Sequence, residues 1–149
     1  MSLTADASTT VTAGADRAFA LFADLGAWWP REFSWSGDAL AGLELEPGEG
    51  GLASEYGPHG FRCDWGRVLT WEPPHRLVLA WQIGPTRAPE PVPARASEVE
   101  VRFEPAGPQA TRVLLEHRGF ERHGDGAAEY AAGMRTGWTY ALERYAAAI

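Results

Sequence analysis

The sequence predicts an α+β fold in which a curved antiparallel sheet of about six or seven strands wraps around one long C-terminal helix, as a single domain over residues 1–149. Three observations carry this. Between Phe33 and His117 the chain repeatedly alternates apolar and polar residues at the period of a half-buried strand, with Pro- and Gly-rich turns between the runs. The stretch Ala127 to Ala147 instead repeats Tyr130, Met134, Trp138, Ala141 and Tyr145 at intervals of four and three, which is one stripe of a helix. A sheet of that many strands twists and curls, and this helix is the only element large enough to cover its apolar face.

The elements follow in order. Ala5 to Thr12 reads as a short Thr-rich strand. Ala13 to Asp24 changes period, placing Ala15, Phe19, Phe22 and Ala23 on one helical face, with Gly26 to close the helix and Pro30 to interrupt a further turn at Ala27 to Trp29. Trp35–Leu45 and Gly51–Tyr56 flank a Pro-Gly hairpin connection. Cys63 to Trp71 is a strand with Cys63, Trp65, Leu69 and Trp71 on one face and Arg67 as the polar exception there, ended by Pro73-Pro74. Leu77 to Ile83 returns as a strand. Gly84 to Ala96 carries Pro85, Pro89, Pro91 and Pro93 and reads as a long mobile loop. Val99, Val101 and Phe103 alternate with charged residues, and Val113, Leu115 and His117 share a face of the next strand. Gly124 and Gly126 then lead into the final helix. Inside it, Gly133 and Gly137 cost stability, which close packing or a cavity wall would explain.

With 45% hydrophobic and 22% charged residues in 149, the chain has material for a real core. All 13 basic residues are arginine, so Schiff-base lysine chemistry and the GxxxxGK[ST] phosphate loop are excluded. The absence of asparagine removes N-glycosylation. A net charge of −7 argues against nucleic acid or anionic membrane as the main partner. No apolar run reaches the length of a membrane span, and Met1 to Thr10 does not resemble a secretion signal, so a cytoplasmic protein without integral membrane association is expected. Cys63 is the single cysteine, consistent with a reducing compartment. No metal site is expected: His59 and Cys63 straddle a glycine, His75 lies in the diproline turn, and His123 in a glycine-flanked loop. No hydrolase elbow or dinucleotide loop occurs.

Seven tryptophans in so short a chain point to a pocket. The candidate ligand-binding residues are Trp35, Tyr56, Trp65, Arg67, Trp81, His117, Phe120, Met134 and Trp138, with Glu55 and His59 as further candidates for its rim. His117 shares the inward parity of Val113 and Leu115 and is the catalytic candidate if any reaction occurs, because an imidazole titrates near neutrality. For Arg67 two readings stay open, a bidentate partner of a ligand carboxylate and a side chain that snorkels at the sheet edge.

One ordered set of segments carries a resemblance. It comprises Val11 to Trp29 with Asp16-Arg17-Ala18-Phe19 and Trp28-Trp29; Gly66-Arg67-Val68-Leu69; Trp71-Glu72-Pro73-Pro74; Arg76 to Trp81; Ser97 to Phe103; Thr111 to Phe120; and Gly137-Trp138 with Leu142. Together they resemble the helix-grip, START-like or birch-pollen-allergen-like superfamily (SRPBCC), and within it the domain of activator of heat-shock-protein (HSP) ATPase homologues. The resemblance implies a hydrophobic cavity between sheet and last helix, small-molecule or lipid-like ligands and no fixed reaction; no cofactor is expected. Eukaryotic co-chaperones of this family carry a further N-terminal domain, for which this chain has no room. The resulting expectation is non-catalytic binding of a small hydrophobic or amphipathic ligand. Two alternatives stay open: a cyclase- or hydratase-type enzyme using His117 with Arg67 or Glu55, and a module that stimulates a chaperone ATPase. Homodimerisation is also left open.

Overall fold

The computed structural model describes residues 3–149, so the first two residues of the Met1–Thr10 start lie outside the described residues. Strand β1 (Thr4–Val11) leads into helix α1 (Ala15–Ala23), followed by β2 (Gly42–Leu45), β3 (Leu52–Tyr56), β4 (Arg62–Glu72), β5 (Arg76–Trp81), β6 (Ser97–Gly107), β7 (Ala110–Arg118) and helix α2 (Ala127–Ala147). The seven strands form one sheet in the order β1-β7-β6-β5-β4-β3-β2. Every neighbouring pair is antiparallel. This is the curled half-barrel sheet with a long C-terminal helix that the periodicities predict.

The alternation of β6 and β7 reads directly into the structure. Val99, Val101, Phe103, Val113 and Leu115 are buried on the helix side. On the opposite side Arg76, Arg102 and Arg118 converge on Glu100. Burial alone would raise the Glu100 pKa, but these guanidinium groups override it and hold it at about 2.

Helix α1 and the first turn after it fill one end of the space under the sheet. Phe19 meets Trp71 and Phe103 at centroid distances of 5.1 Å, and Phe22 meets Trp28 at 5.0 Å and Tyr145 of α2 at 5.3 Å. The Tyr145 hydroxyl donates to the Ala18 carbonyl at 2.7 Å, fixing α2 against α1. Burial pushes the Tyr145 pKa above its usual value.

Several expectations are corrected. Trp35–Leu45 is a strand only over Gly42–Leu45; 3-10 turns occupy Arg31–Phe33 and Gly37–Ala39. The reason is that the Glu55 side chain takes the Trp35 and Ser36 amide protons, at 3.1 and 2.9 Å, which a ladder would otherwise need. Helix α1 ends at Asp24, whose N–H bonds the Ala20 and Leu21 carbonyls, rather than at Gly26. The prolyl segment is pinned to the sheet: Ile83 bridges to Pro89, and the Glu90 N–H donates to the Gln82 carbonyl at 2.8 Å.

The parity of β4 also differs. Its register shifts between Ala53/Ser54 against β3 and between Val68/Thr70 against β5. Each bulge turns the following residues over. Val68 is therefore buried, Leu69 is 40% exposed and Arg67 faces solvent.

Candidate functional site

A cavity of about 250 Å³ lies at the end of the sheet–helix space that α1 leaves unfilled. Its sheet wall is Leu43, Glu55, Trp65 and Trp81; its helix wall is Tyr130, Gly133, Met134, Gly137, Trp138 and Ala141; two loops close it with Trp29, Phe33, Ser34, Trp35, Ile83 and Arg87. Five of the seven tryptophans face this space. Trp29 and Trp65 lie nearly parallel, 27° apart with centroids at 6.1 Å, while Trp81 and Trp138 meet edge to face at 5.4 Å. Neighbouring Trp28 belongs to the packed end instead, donating to the Phe22 carbonyl at 3.2 Å.

Two helix glycines border the cavity. A Cβ placed on Gly133 or Gly137 would meet nothing within 4 Å. Close packing therefore does not explain them; Gly137 is half-buried on the cavity wall and Gly133 lies exposed at its edge.

Most polar groups on the wall are already satisfied. The Tyr130 hydroxyl accepts from the Trp81 indole at 2.7 Å and donates to the Ile83 carbonyl at 2.7 Å. Burial raises its pKa to about 12, so it remains a phenol at neutral pH. Ser34 donates to the Arg31 carbonyl at 2.6 Å and accepts from the Gly37 N–H at 2.9 Å. Arg87, with a left-handed φ of 69°, donates to the Phe33 carbonyl at 2.8 Å, and its own carbonyl accepts from the Trp35 indole at 2.9 Å. These reciprocal bonds latch the two closing loops together. Glu55 is 1% exposed and accepts from the Trp35 N–H, the Ser36 N–H and the Ser36 hydroxyl.

Trp35, Trp65, Trp81, Met134 and Trp138 of the sequence candidates thus meet in one cavity, joined by Glu55. The other four do not line it. Arg67 is on the solvent face because of the β4 bulge at Trp65. Tyr56 points away from the cavity, where its hydroxyl donates to Glu44 at 3.2 Å and Arg62 lies over its ring. His59, the other rim candidate, is exposed in the turn after β3. Phe120 is buried behind His117, with ring centroids 4.1 Å apart.

His117 is fully buried, but its nitrogens are spent within the protein. The Trp138 indole can only donate, so at 3.0 Å it makes Nδ1 the acceptor. The ring proton of neutral His117 then sits on Nε2 and goes to the Ser97 hydroxyl at 2.7 Å, which in turn donates to His123 Nε2 at 2.8 Å. Desolvation, aided by His123, pushes the His117 pKa well below 6.5 and keeps the ring neutral. Its role here is to orient Trp138 from behind. The cation on the wall is Arg87, which no sequence signal distinguishes within the prolyl segment. Trp29 and Tyr130 were also not singled out as site residues, although Tyr130 lies on the helical stripe.

Among the described residues no group of three or more His, Cys, Asp or Glu side chains could hold a metal ion. No helix of the described residues is long and apolar enough to cross a membrane.

The family model for activator of Hsp90 ATPase homolog 1-like proteins matches residues 15–149. The chain belongs to this family. No curated protein matches the chain. Among solved structures, the anthrahydroquino-γ-pyrone synthase Txn09, in a complex with SUM, is 37% identical, with 98% of this chain and 96% of that chain covered and a TM-score of 0.70. CalC of Micromonospora echinospora, described as a self-sacrificing resistance protein, is 25% identical over 96% of this chain and 91% of its own, with a TM-score of 0.64. Mll3558 of Rhizobium loti, at 24% identity, 100% and 98% coverage and a TM-score of 0.66, shares the fold. The activator-homologue family thereby places the chain in the SRPBCC superfamily of helix-grip folds.

Proposed function

We propose that this protein binds a small hydrophobic or amphipathic ligand, of aromatic or polyketide type, in the cavity between sheet and α2. The observation that carries the reading is the cavity wall itself: five indoles face an unfilled space beside α2, where Gly137 presents no side chain. Such an apolar cavity with a few fixed polar groups is the usual form of a small-molecule site. The likeness to Txn09 supports an oxygenated polycyclic ligand over a fatty acyl chain. A cytoplasmic location accords with the lone cysteine. Stimulation of a chaperone ATPase has support only from the description of the family.

Titration of the intrinsic tryptophan fluorescence against polyketides, small aromatics and fatty acids tests the proposal. A saturable change is expected with the first two groups. Unchanged emission throughout would overturn it.

A second reading, proton transfer on a bound carbonyl compound, is supported by the buried Glu55 carboxyl on the cavity wall. In that case Glu55, not His117, is the group placed to act as the base. Turnover of an identified substrate would then be lost in Glu55→Gln and retained in a folded His117 variant.

A further inference from the structure

We infer that the cavity selects an oxygenated aromatic through two opposite contacts: a ligand carbonyl accepting from the Trp65 indole N–H, and a phenolic hydroxyl donating to Glu55. The inference rests on the ligand-binding reading above and adds the ligand's polarity to it.

Trp65 is 4% exposed, and its indole nitrogen has no hydrogen-bond partner among the described residues. The other buried indoles are all engaged: Trp28 with the Phe22 carbonyl, Trp81 with the Tyr130 hydroxyl, and Trp138 with His117. Yet among the described residues no sealed side-chain nitrogen or oxygen lacks a partner. The Trp65 N–H therefore opens onto free volume, and the free volume that Trp65 borders is the cavity. Trp29 is only half-buried, so the same requirement does not apply to it.

Glu55 supplies the opposite polarity. A carboxylate offers about four acceptor positions. Oε2 receives the Ser36 N–H and hydroxyl, whereas Oε1 receives only the Trp35 N–H, which leaves capacity on Oε1. In the β3–β4 ladder Glu55 pairs with Cys63, two residues before Trp65, so donor and acceptor stand on adjacent strands of one wall. Tyr130 and Ser34 have spent their protons elsewhere. A pure hydrocarbon filling the cavity would strand the Trp65 N–H, and a buried unpaired polar group is costly, while Glu55 would keep only its three protein donors. A ligand carrying an acceptor and a donor avoids that cost.

Calorimetric titration with 2-methylnaphthalene, 2-acetylnaphthalene and 2-naphthol separates the contacts, because these probes carry neither oxygen, the carbonyl alone and the phenol alone. Each oxygenated probe is expected to bind roughly tenfold more tightly than the hydrocarbon. Trp65→Phe, which keeps a ring, should erase the gain of 2-acetylnaphthalene and leave that of 2-naphthol. Glu55→Gln should do the reverse: its amide oxygen takes the position that accepts two protons, and an NH2 replaces Oε1, removing the acceptor for the phenol together with the Trp35 bond. If Glu55→Gln does not fold, the probe series on the unmodified protein still decides between the outcomes. Equal binding of all three probes overturns the inference while the cavity reading stands. Failure of all three to bind overturns both. A gain that survives its own substitution overturns that contact.

Discussion

Two fully buried polar side chains divide the interior between them. Glu55 keeps capacity toward the cavity, whereas His117 spends both nitrogens on Trp138 and Ser97. The inward parity of β7 placed His117 correctly inside, but its partners come from β6 and α2, and no spacing within one strand reveals them. Replacing it by Phe keeps a slightly larger aromatic ring and strands the Trp138 N–H, while Ser97 retains His123. The expected cost is about 1–3 kcal/mol, read from urea denaturation. The pH dependence supplies a sharper test. Burial lowers the folded pKa below the unfolded value of 6.5, so folding favours the neutral ring. The unfolded chain then binds the extra proton, and stability is complete above about pH 7 and falls as pH drops through 6.5 toward the folded value. Wild type should lose more stability between pH 7.5 and 5.5 than His117→Phe does. An equal loss in both proteins would show that another group titrates in that window.

At the scale of elements, β4 and α2 show opposite degrees of legibility. The α2 stripe read directly from the sequence, because a 3.6 period survives any tertiary context that leaves the helix intact. In β4 a period of two fails after one inserted residue: the irregularity at Trp65 moved Arg67 out and Val68 in, and a second one at Leu69 follows them. One mark was available: at Gly66 a Cβ would lie 2.9 Å from the Ala80 carbonyl, and an isolated strand glycine signals a bulge or a close approach. The α2 glycines carry a second consequence. Since a Cβ at Gly137 clashes with nothing, Gly137→Ala should stabilise the helix by roughly 0.5–1 kcal/mol while taking volume from the cavity. The expected outcome is a higher melting temperature together with weaker binding of 2-naphthol. If melting rises and binding is unchanged, Gly137 does not set the room for the ligand.

Across the whole molecule, the helix grips the sheet tightly at one end and leaves the other to two loops that are distant in sequence. The shared helical face of Phe19 and Phe22 is legible because both arise from one short segment, whereas their partners Trp71, Phe103 and Tyr145 come from distant elements. The closing of the cavity was not, since it depends on the left-handed Arg87 in the 84–96 segment meeting Phe33 and Trp35 across more than fifty residues. Trp35→Phe tests whether this latch governs access. The substitution keeps a smaller aromatic ring on the cavity wall and removes the N–H that reaches the Arg87 carbonyl. A hydrogen bond of this kind contributes about 0.5–1.5 kcal/mol net. Because the bond joins two loops and no strand ladder, its loss should appear as local opening. The Arg87 and Glu90 amides, bonded to the Gly84 and Gln82 carbonyls at 2.9 and 2.8 Å, should exchange with deuterium roughly two- to tenfold faster, with β6 amides unchanged. A ligand probe should also enter and leave more quickly. Faster exchange throughout β6 would mean that the indole N–H supports the global fold, and unaltered exchange at Arg87 and Glu90 would remove the latch from the route to the cavity.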